Sequence, residues 1–284
     1  MSVRTMLRVA VPNKGILSET AILMLKEAGY AIRRDPKDLH VVDNANEIEF
    51  FYLRPRDIAT YVGSGSLDIG FTGLDLLLDS RSKAKAVAEL GFGASTFRFA
   101  GPISKFKSIQ DLNGLRIATA YPHLVEDYLG VQGIKAQLVQ LDGAVEVAVR
   151  LGVADVVADV VSTGNTLRQA GLEIFGDPIL TSSAQLIAAP NSSANFDGFL
   201  RRIQGVVVAR EYVIVDFDCP TDLVEQASAI TPGIESPTIS PLRDPEWVAV
   251  RALVKAVDVN QKMDELYALG ARAILVSALH AARI

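Results

Sequence analysis

Ala154-Asp155-Val156-Val157-Ala158-Asp159-Val160-Val161-Ser162-Thr163-Gly164-Asn165-Thr166-Leu167 is the stretch on which the reading of this chain turns. Its small and β-branched residues predict a buried strand over 153–161, and period two puts Asp155 and Asp159 on one face of it. The strand runs into a loop of hydroxyl residues and glycine, then into a helix. Such a junction suits a phosphorylated sugar. Loop amides around Asn165 and the hydroxyls of Ser162, Thr163 and Thr166 surround a phosphate at the helix N-terminus. Gly164 lets the backbone approach without a Cβ in the way, and the two carboxylates accept hydrogen bonds from ribose hydroxyls. The competing reading is a plain turn with a threonine N-cap. Carboxylates inside so apolar a strand argue against it, because burying a charge without a partner is costly.

Outward from this stretch the same alternation repeats. Leu7–Val11, Ile48–Leu53, Leu67–Phe71, Leu115–Ala118, Ala136–Leu141 and Glu173–Ile179 read as strands, and Ile16–Ala28, Pro55–Val62 and Leu74–Leu78 as helices. This order predicts an α/β fold of mostly parallel sheets covered by helices on both faces. Two breaks, Phe97–Ile103 and Leu186–Pro190, read as crossings between two lobes with a cleft between them, a common place for small-molecule sites. From Glu211 the order becomes β-α-β-β-α-β, the ferredoxin-like arrangement. The expected domains are 1–97 with 186–210, then 98–185, then 211–284.

The 284 residues are 49% hydrophobic and 21% charged, with 28 Lys and Arg against 33 Asp and Glu, a net charge of −5. An acidic chain without a basic run argues against nucleic acid or an anionic membrane as partner. Cys219 is the single cysteine, which excludes a disulfide within the chain and a two-cysteine zinc site. His40, His123 and His280 show no metal-ligand spacing. Neither a secretory signal nor an apolar run of about 18 residues occurs, so a soluble, cytoplasmic protein is expected.

Other residues each carry two readings. Lys14, in Pro12-Asn13-Lys14-Gly15, either meets a phosphate or is a solvated loop lysine. Arg54 and Arg56 either bind pyrophosphate or decorate a helix start. Gly73 and Asp75 follow a strand's carboxyl end, where open α/β sheets bind ligands, and are otherwise turn and capping residues. Tyr121 either stacks on a base or is a half-buried structural tyrosine. Glu146 is a site acid or a first-turn acid favoured by the helix dipole.

Together these segments resemble one family. Val11-Pro12-Asn13-Lys14-Gly15, Tyr61–Gly65 with Asp68–Asp75, Ala118–Pro122, Gly143–Glu146 and Asp155–Leu167 occur in the order found in ATP phosphoribosyltransferases. Ile230–Thr238 and the extra C-terminal domain resemble the long, self-regulated form. One departure is Ala120, where many members carry lysine. The resemblance implies two periplasmic-binding-protein-like lobes with an ACT-like third domain. It also implies the first step of histidine biosynthesis, in which ATP and phosphoribosyl pyrophosphate give N1-phosphoribosyl-ATP and pyrophosphate. Mg²⁺ would ride on the pyrophosphate, and dimers and hexamers are expected. Asp155 and Asp159 would stabilise an oxocarbenium-like transition state, with Lys14 and Arg54 on the pyrophosphate and Glu146 as a candidate base. Feedback inhibition by histidine would use Asp218, Ile234, Ser236, Thr238 and Ala273.

Two rival readings remain at this point. Prephenate dehydratase also joins two α/β lobes to an ACT-like domain, and Ser95-Thr96-Phe97-Arg98-Phe99 is superficially similar to its site. It has no use for a ribose-phosphate loop. A small-molecule-binding module is the other; the absent signal sequence opposes a solute receptor, and the absent N-terminal helix-turn-helix opposes a regulator.

Overall fold

The computed structural model describes residues 6–33, 35, 37–161, 164–190 and 194–283. A first lobe is built from β1 (Leu7–Pro12), α1 (Ile16–Glu27), β2 (His40–Asp43), β3 (Ile48–Leu53), α2 (Pro55–Gly63), β4 (Ile69–Gly73), α3 (Leu74–Asp79) and β5 (Lys85–Glu89). The second holds β6 (Ser95–Pro102), β7 (Arg116–Thr119), α4 (Pro122–Gln132), β8 (Gln137–Gln140), α5 (Val147–Arg150), β9 (Val156–Val161), α6 (Asn165–Gln169) and β10 (Leu172–Ser182). Then β11 (Ala184–Ala188) returns to the first sheet, whose strand order is β2-β3-β1-β4-β11-β5, beside a second sheet ordered β10-β6-β9-β7-β8.

The sheets are mixed rather than mostly parallel. β1 pairs parallel with β3 and β4, and β7 with β8 and β9. β11 runs antiparallel to β4 and β5, and β6 antiparallel to β9 and β10. β2 runs antiparallel to β3 at a sheet edge, whereas β6 and β11, by which the chain enters a lobe from the other one, run against both of their neighbours. Those two are also the segments that read as crossings. Phe97 and Phe99 of β6 and Leu186 and Ile187 of β11 are fully buried, so both stretches serve as central strands. The chain instead changes lobe between Glu89 and Ser95 and again at Ser183.

The C-terminal unit comprises α7 (Asp197–Glu211), β12 (Tyr212–Pro220), α8 (Val224–Ile230), β13 (Thr238–Pro241), β14 (Trp247–Lys255), α9 (Val259–Leu269) and β15 (Arg272–Ala278). Its sheet order β13-β14-β12-β15, antiparallel throughout, is the expected ferredoxin-like one. One sheet face buries Val215, Phe217, Cys219 and Val250 against Ala227 and Leu266 of the two helices that follow β12 and β14. α7 folds with this unit, which extends it toward Asp197 from the expected 211.

Candidate active site

Parallel strands point their carboxyl ends at a ligand. In the first lobe β4 ends at Gly73 and turns at once into α3, a helix of leucines carrying Asp75 and Asp79 one turn apart. Both carboxylates are buried, at 7% and 5% exposure. A Cβ on Gly73 would lie 2.2 Å from Asp75 Oδ1, so only glycine fits beneath that carboxylate. The Asp75 amide donates to Ser182 Oγ at 3.1 Å, and that hydroxyl donates back to Asp75 Oδ1 at 2.9 Å. The Tyr121 phenol lies within electrostatic reach of Asp75 as well.

Asp79 does the same for α4. Its Oδ1 accepts the amides of His123 at 3.0 Å and Leu124 at 3.1 Å, and its Oδ2 accepts from Arg56 at 3.0 Å. The Arg56 guanidinium lies 4.8 Å from the centre of the Tyr121 ring, whose other contact is the edge of Phe97 at 5.1 Å. Tyr121 is thus half-buried and partnered between the lobes. Burial, reinforced by the charges of Asp75 and Asp159, pushes its phenol up. Arg56 is likewise engaged.

Asp159 sits on β9 toward its carboxyl end, half-buried, with Glu146 and Asp75 close enough to repel its charge. Desolvation is the larger cause, and its carboxyl is pushed up to about 6. Glu146 is the residue that leads into α5. Asp155 is elsewhere. It precedes β9, at the amino end, about 13 Å along the strand direction from Asp159 at ~3.3 Å per residue. There Arg116 grips it: the Nε and amide of Arg116 donate to Oδ2 at 3.1 and 3.0 Å, and Nη2 to Oδ1 at 3.0 Å. That guanidinium holds the carboxyl below the usual range. The expected pair of carboxylates at one site is therefore corrected to Asp159 alone, since Arg116 satisfies Asp155 at the far edge of the sheet.

Lys14 and Arg54 are exposed and make no ion pair among the described residues. Lys14 borders a hollow of ≈ 330 Å³ with Asn13, Ser18, Glu19 and Arg33. Beside it, at the carboxyl ends of adjacent strands, Asn13 Oδ1 and Thr72 Oγ1 are buried without a hydrogen-bond partner. In the loop after β9, Ser162 and Thr163 lie outside the described residues. Gly164 has φ +69°, a left-handed conformation that favours glycine. Thr166 is exposed, and the Asn165 side chain accepts from Arg168.

The residues expected to bind histidine fall on two sides of the C-terminal sheet. Ile234 and Ser236 precede β13, and Thr238 opens it. Asp218 lies on β12 opposite Arg272 of β15, and Ala273, with φ +49°, occupies the irregularity that follows. β13 and β15 are opposite edges with two strands between them, about 14 Å apart at ~4.8 Å per strand. Asp218, on β12, lies on an interior strand between them.

Asp79 and Ser182 were not among the residues singled out from sequence. Asp79 carried a usable signal, a second acid one helical turn after Asp75 in Leu74-Asp75-Leu76-Leu77-Leu78-Asp79. Ser182 carried none.

The profile described as ATP phosphoribosyltransferase matches residues 54–205, and that described as HisG, C-terminal domain, matches 209–281. The chain is 60% identical over 286 residues to the ATP phosphoribosyltransferase of Paenarthrobacter aurescens (strain TC1), covering 98% of this chain and 100% of that protein. It is 59% identical over 281 residues to that of Salinispora tropica, with 98% and 100% covered. The ATP phosphoribosyl transferase (HisG:HisZ) complex from Thermotoga maritima contains a chain with TM-score 0.63 and 30% identity, covering 71% of this chain and 98% of that one. With a catalytic unit and a C-terminal domain matched in order and near-complete relatives of this identity, the chain belongs to the ATP phosphoribosyltransferase family, in its long form.

Proposed function

We propose that the cleft between the carboxyl ends of β4 and β9 transfers the phosphoribosyl group of phosphoribosyl pyrophosphate to N1 of ATP, the first step of histidine biosynthesis. The observation that carries this placement is Asp159, an acid with a raised pKa facing Asp75 and Glu146 at the edge where a ligand would sit. In the reaction the bond from the anomeric carbon to pyrophosphate breaks, and its electron pair leaves with the pyrophosphate. The lone pair of N1 forms the new bond. N1 is already nucleophilic, so alignment and charge stabilisation do the work and no strong base is needed. Ionised Asp159 stabilises the positive charge that develops on the sugar. Glu146 repels the Asp159 carboxylate and adds to the negative potential that the positive sugar meets. The free cations Lys14 and Arg54 receive the pyrophosphate, and the partnerless Asn13 Oδ1 and Thr72 Oγ1 await donors from a substrate.

Mg²⁺ fits this site as a passenger on the substrate, because it keeps several waters and needs at most one or two protein carboxylates beside substrate phosphates. Among the described residues no group of three or more acids, histidines or cysteines could hold a metal ion, so Mg²⁺ would enter on the pyrophosphate and not in a protein cage. When bound, the ion neutralises charge on the departing pyrophosphate.

The C-terminal unit is proposed to sense histidine through Asp218, Ile234, Ser236, Thr238 and Ala273. The placing of Thr238 and Ala273 on opposite sheet edges, with Asp218 on an interior strand, favours a homo-oligomer, expected as dimer and hexamer, in which edges of neighbouring copies meet. For location, no helix among the described residues is long and apolar enough to cross a membrane.

The test is direct. The full chain with ATP, phosphoribosyl pyrophosphate and Mg²⁺ should form a product with altered adenine ultraviolet absorption and release pyrophosphate, and omission of either substrate should abolish both signals. Dehydration of prephenate without phosphoribosyl transfer would overturn the reading.

A further inference from the structure

The cap of α4 comes from the wrong place for an ordinary helix. Its N-cap residue is Tyr121, whose side chain makes no capping bond, and Pro122 follows it. A buried helix end needs acceptors for its free amides. Here the acceptor is Asp79, 44 residues upstream and in the other lobe, which takes the amides of both His123 and Leu124. Its backbone carbonyl also lies 2.8 Å from His123 Nδ1. Next to it Arg81 bonds Glu126 at 2.9 Å and also Asp127, both farther along α4. The same Asp79 carboxylate holds Arg56, and Arg56 covers the ring of Tyr121. One side chain therefore ties together the first lobe, the start of α4 and the residue that precedes it.

We propose that Asp79 is a positioning residue of the transferase: by capping α4 from the first lobe it fixes Tyr121 and seats the turn of α3 that carries Asp75 opposite Asp159. The inference rests on the reading of the β4–β9 cleft as the reaction site. Asp79 touches no reacting atom in this account. It sets the distance between the halves of the site that do.

The roles of acceptor and charge separate cleanly. Asparagine retains an oxygen that accepts the α4 amides, and it ranks with aspartate as an N-cap, whereas alanine provides neither acceptor nor charge. A misplacement of about 1 Å remote from the chemistry costs about 10²-fold in rate. In the full-length enzyme, Asp79→Ala should lower kcat by about that factor with both KM values within about threefold, and Asp79→Asn should recover most of the loss. Hydrogen exchange supplies a readout that activity does not. In the unsubstituted enzyme the amides of His123 and Leu124 should exchange as slowly as those in the middle of α4, and Asp79→Ala should release these two by at least about tenfold.

Full activity in a folded Asp79→Ala variant would overturn the proposal, and so would an Asn variant as slow as the Ala one. Should the Ala variant fail to fold, fast exchange at His123 and Leu124 in the parent enzyme would overturn it alone. Failure of the site reading itself shows differently: Asp159→Asn would then turn over normally whatever happens at α4.

Discussion

Asp75 and Ser182 hold one another reciprocally across 107 residues of chain, amide to hydroxyl at 3.1 Å and hydroxyl to carboxylate at 2.9 Å. Ser182 ends β10, just before the chain returns to the first lobe, so this pair clamps the crossing itself. Removing the hydroxyl leaves a buried amide and a buried carboxylate oxygen short of a partner. Ser182→Ala should therefore cost about 1–3 kcal/mol, the penalty for such orphans. Urea unfolding followed by circular dichroism would read it, and an unshifted midpoint would show that the clamp does not hold the fold.

Asp159 predicts an opposition between stability and turnover. Its carboxyl titrates at about 6 when folded, against the ordinary 3.8. Between those values the folded chain keeps a proton that the unfolded chain has released. The stability it contributes is complete below about pH 3.8 and is lost as pH rises through about 6, for about 3 kcal/mol in all. Asp159→Asn should accordingly be the more stable protein at about pH 8. Its turnover should fall by about two to four orders of magnitude, through loss of the charge that meets the developing cation. In the parent kcat/KM should rise with pH through about 6, the range of the substrate-free enzyme, and the variant should lack that limb. A variant as fast as the parent would remove Asp159 from the site.

Asp155 predicts the contrary. It lies at the amino end of the strand with Arg116, and the pair is 28% and 40% exposed. Solvent screening limits such a pair to about 1 kcal/mol or less. Asp155→Asn should lose that small amount above about pH 4, where the carboxylate would be charged, and keep kcat within about threefold. A fall in kcat comparable with that of Asp159→Asn would restore the paired-carboxylate reading.

Regulation is testable at Thr238. It opens the edge strand β13, exposed and opposite Arg251, so Thr238→Val alters no core packing. Loss of one hydrogen bond to histidine should raise the inhibitory concentration by about tenfold while substrate constants stay put. Inhibition at a distance requires histidine to prefer one state of the protein, since equal affinity for both shifts nothing. Calorimetry showing undiminished histidine binding would move the pocket elsewhere.

Much of this is legible in the sequence. The β-α alternation and the ferredoxin-like order after Glu211 are written in local periods and turn chemistry, which act over a few residues. The direction of β6 and β11 was not, because strand direction within a sheet depends on where the chain enters, a property of the whole lobe. Asp155 and Asp159 make the limit plain. Period two predicts a shared face, yet it says nothing about which end of the strand each residue occupies or that Arg116 pairs with Asp155 at the amino end. Asp75, Asp79, Ser182 and Tyr121 show the same division. That buried acids in an apolar helix must find donors follows from sequence and desolvation alone. Which donors they find, a hydroxyl 107 residues on and the amides of a helix in the other lobe, was decided only when the two sheets packed, since only packing brings distant groups within hydrogen-bond reach.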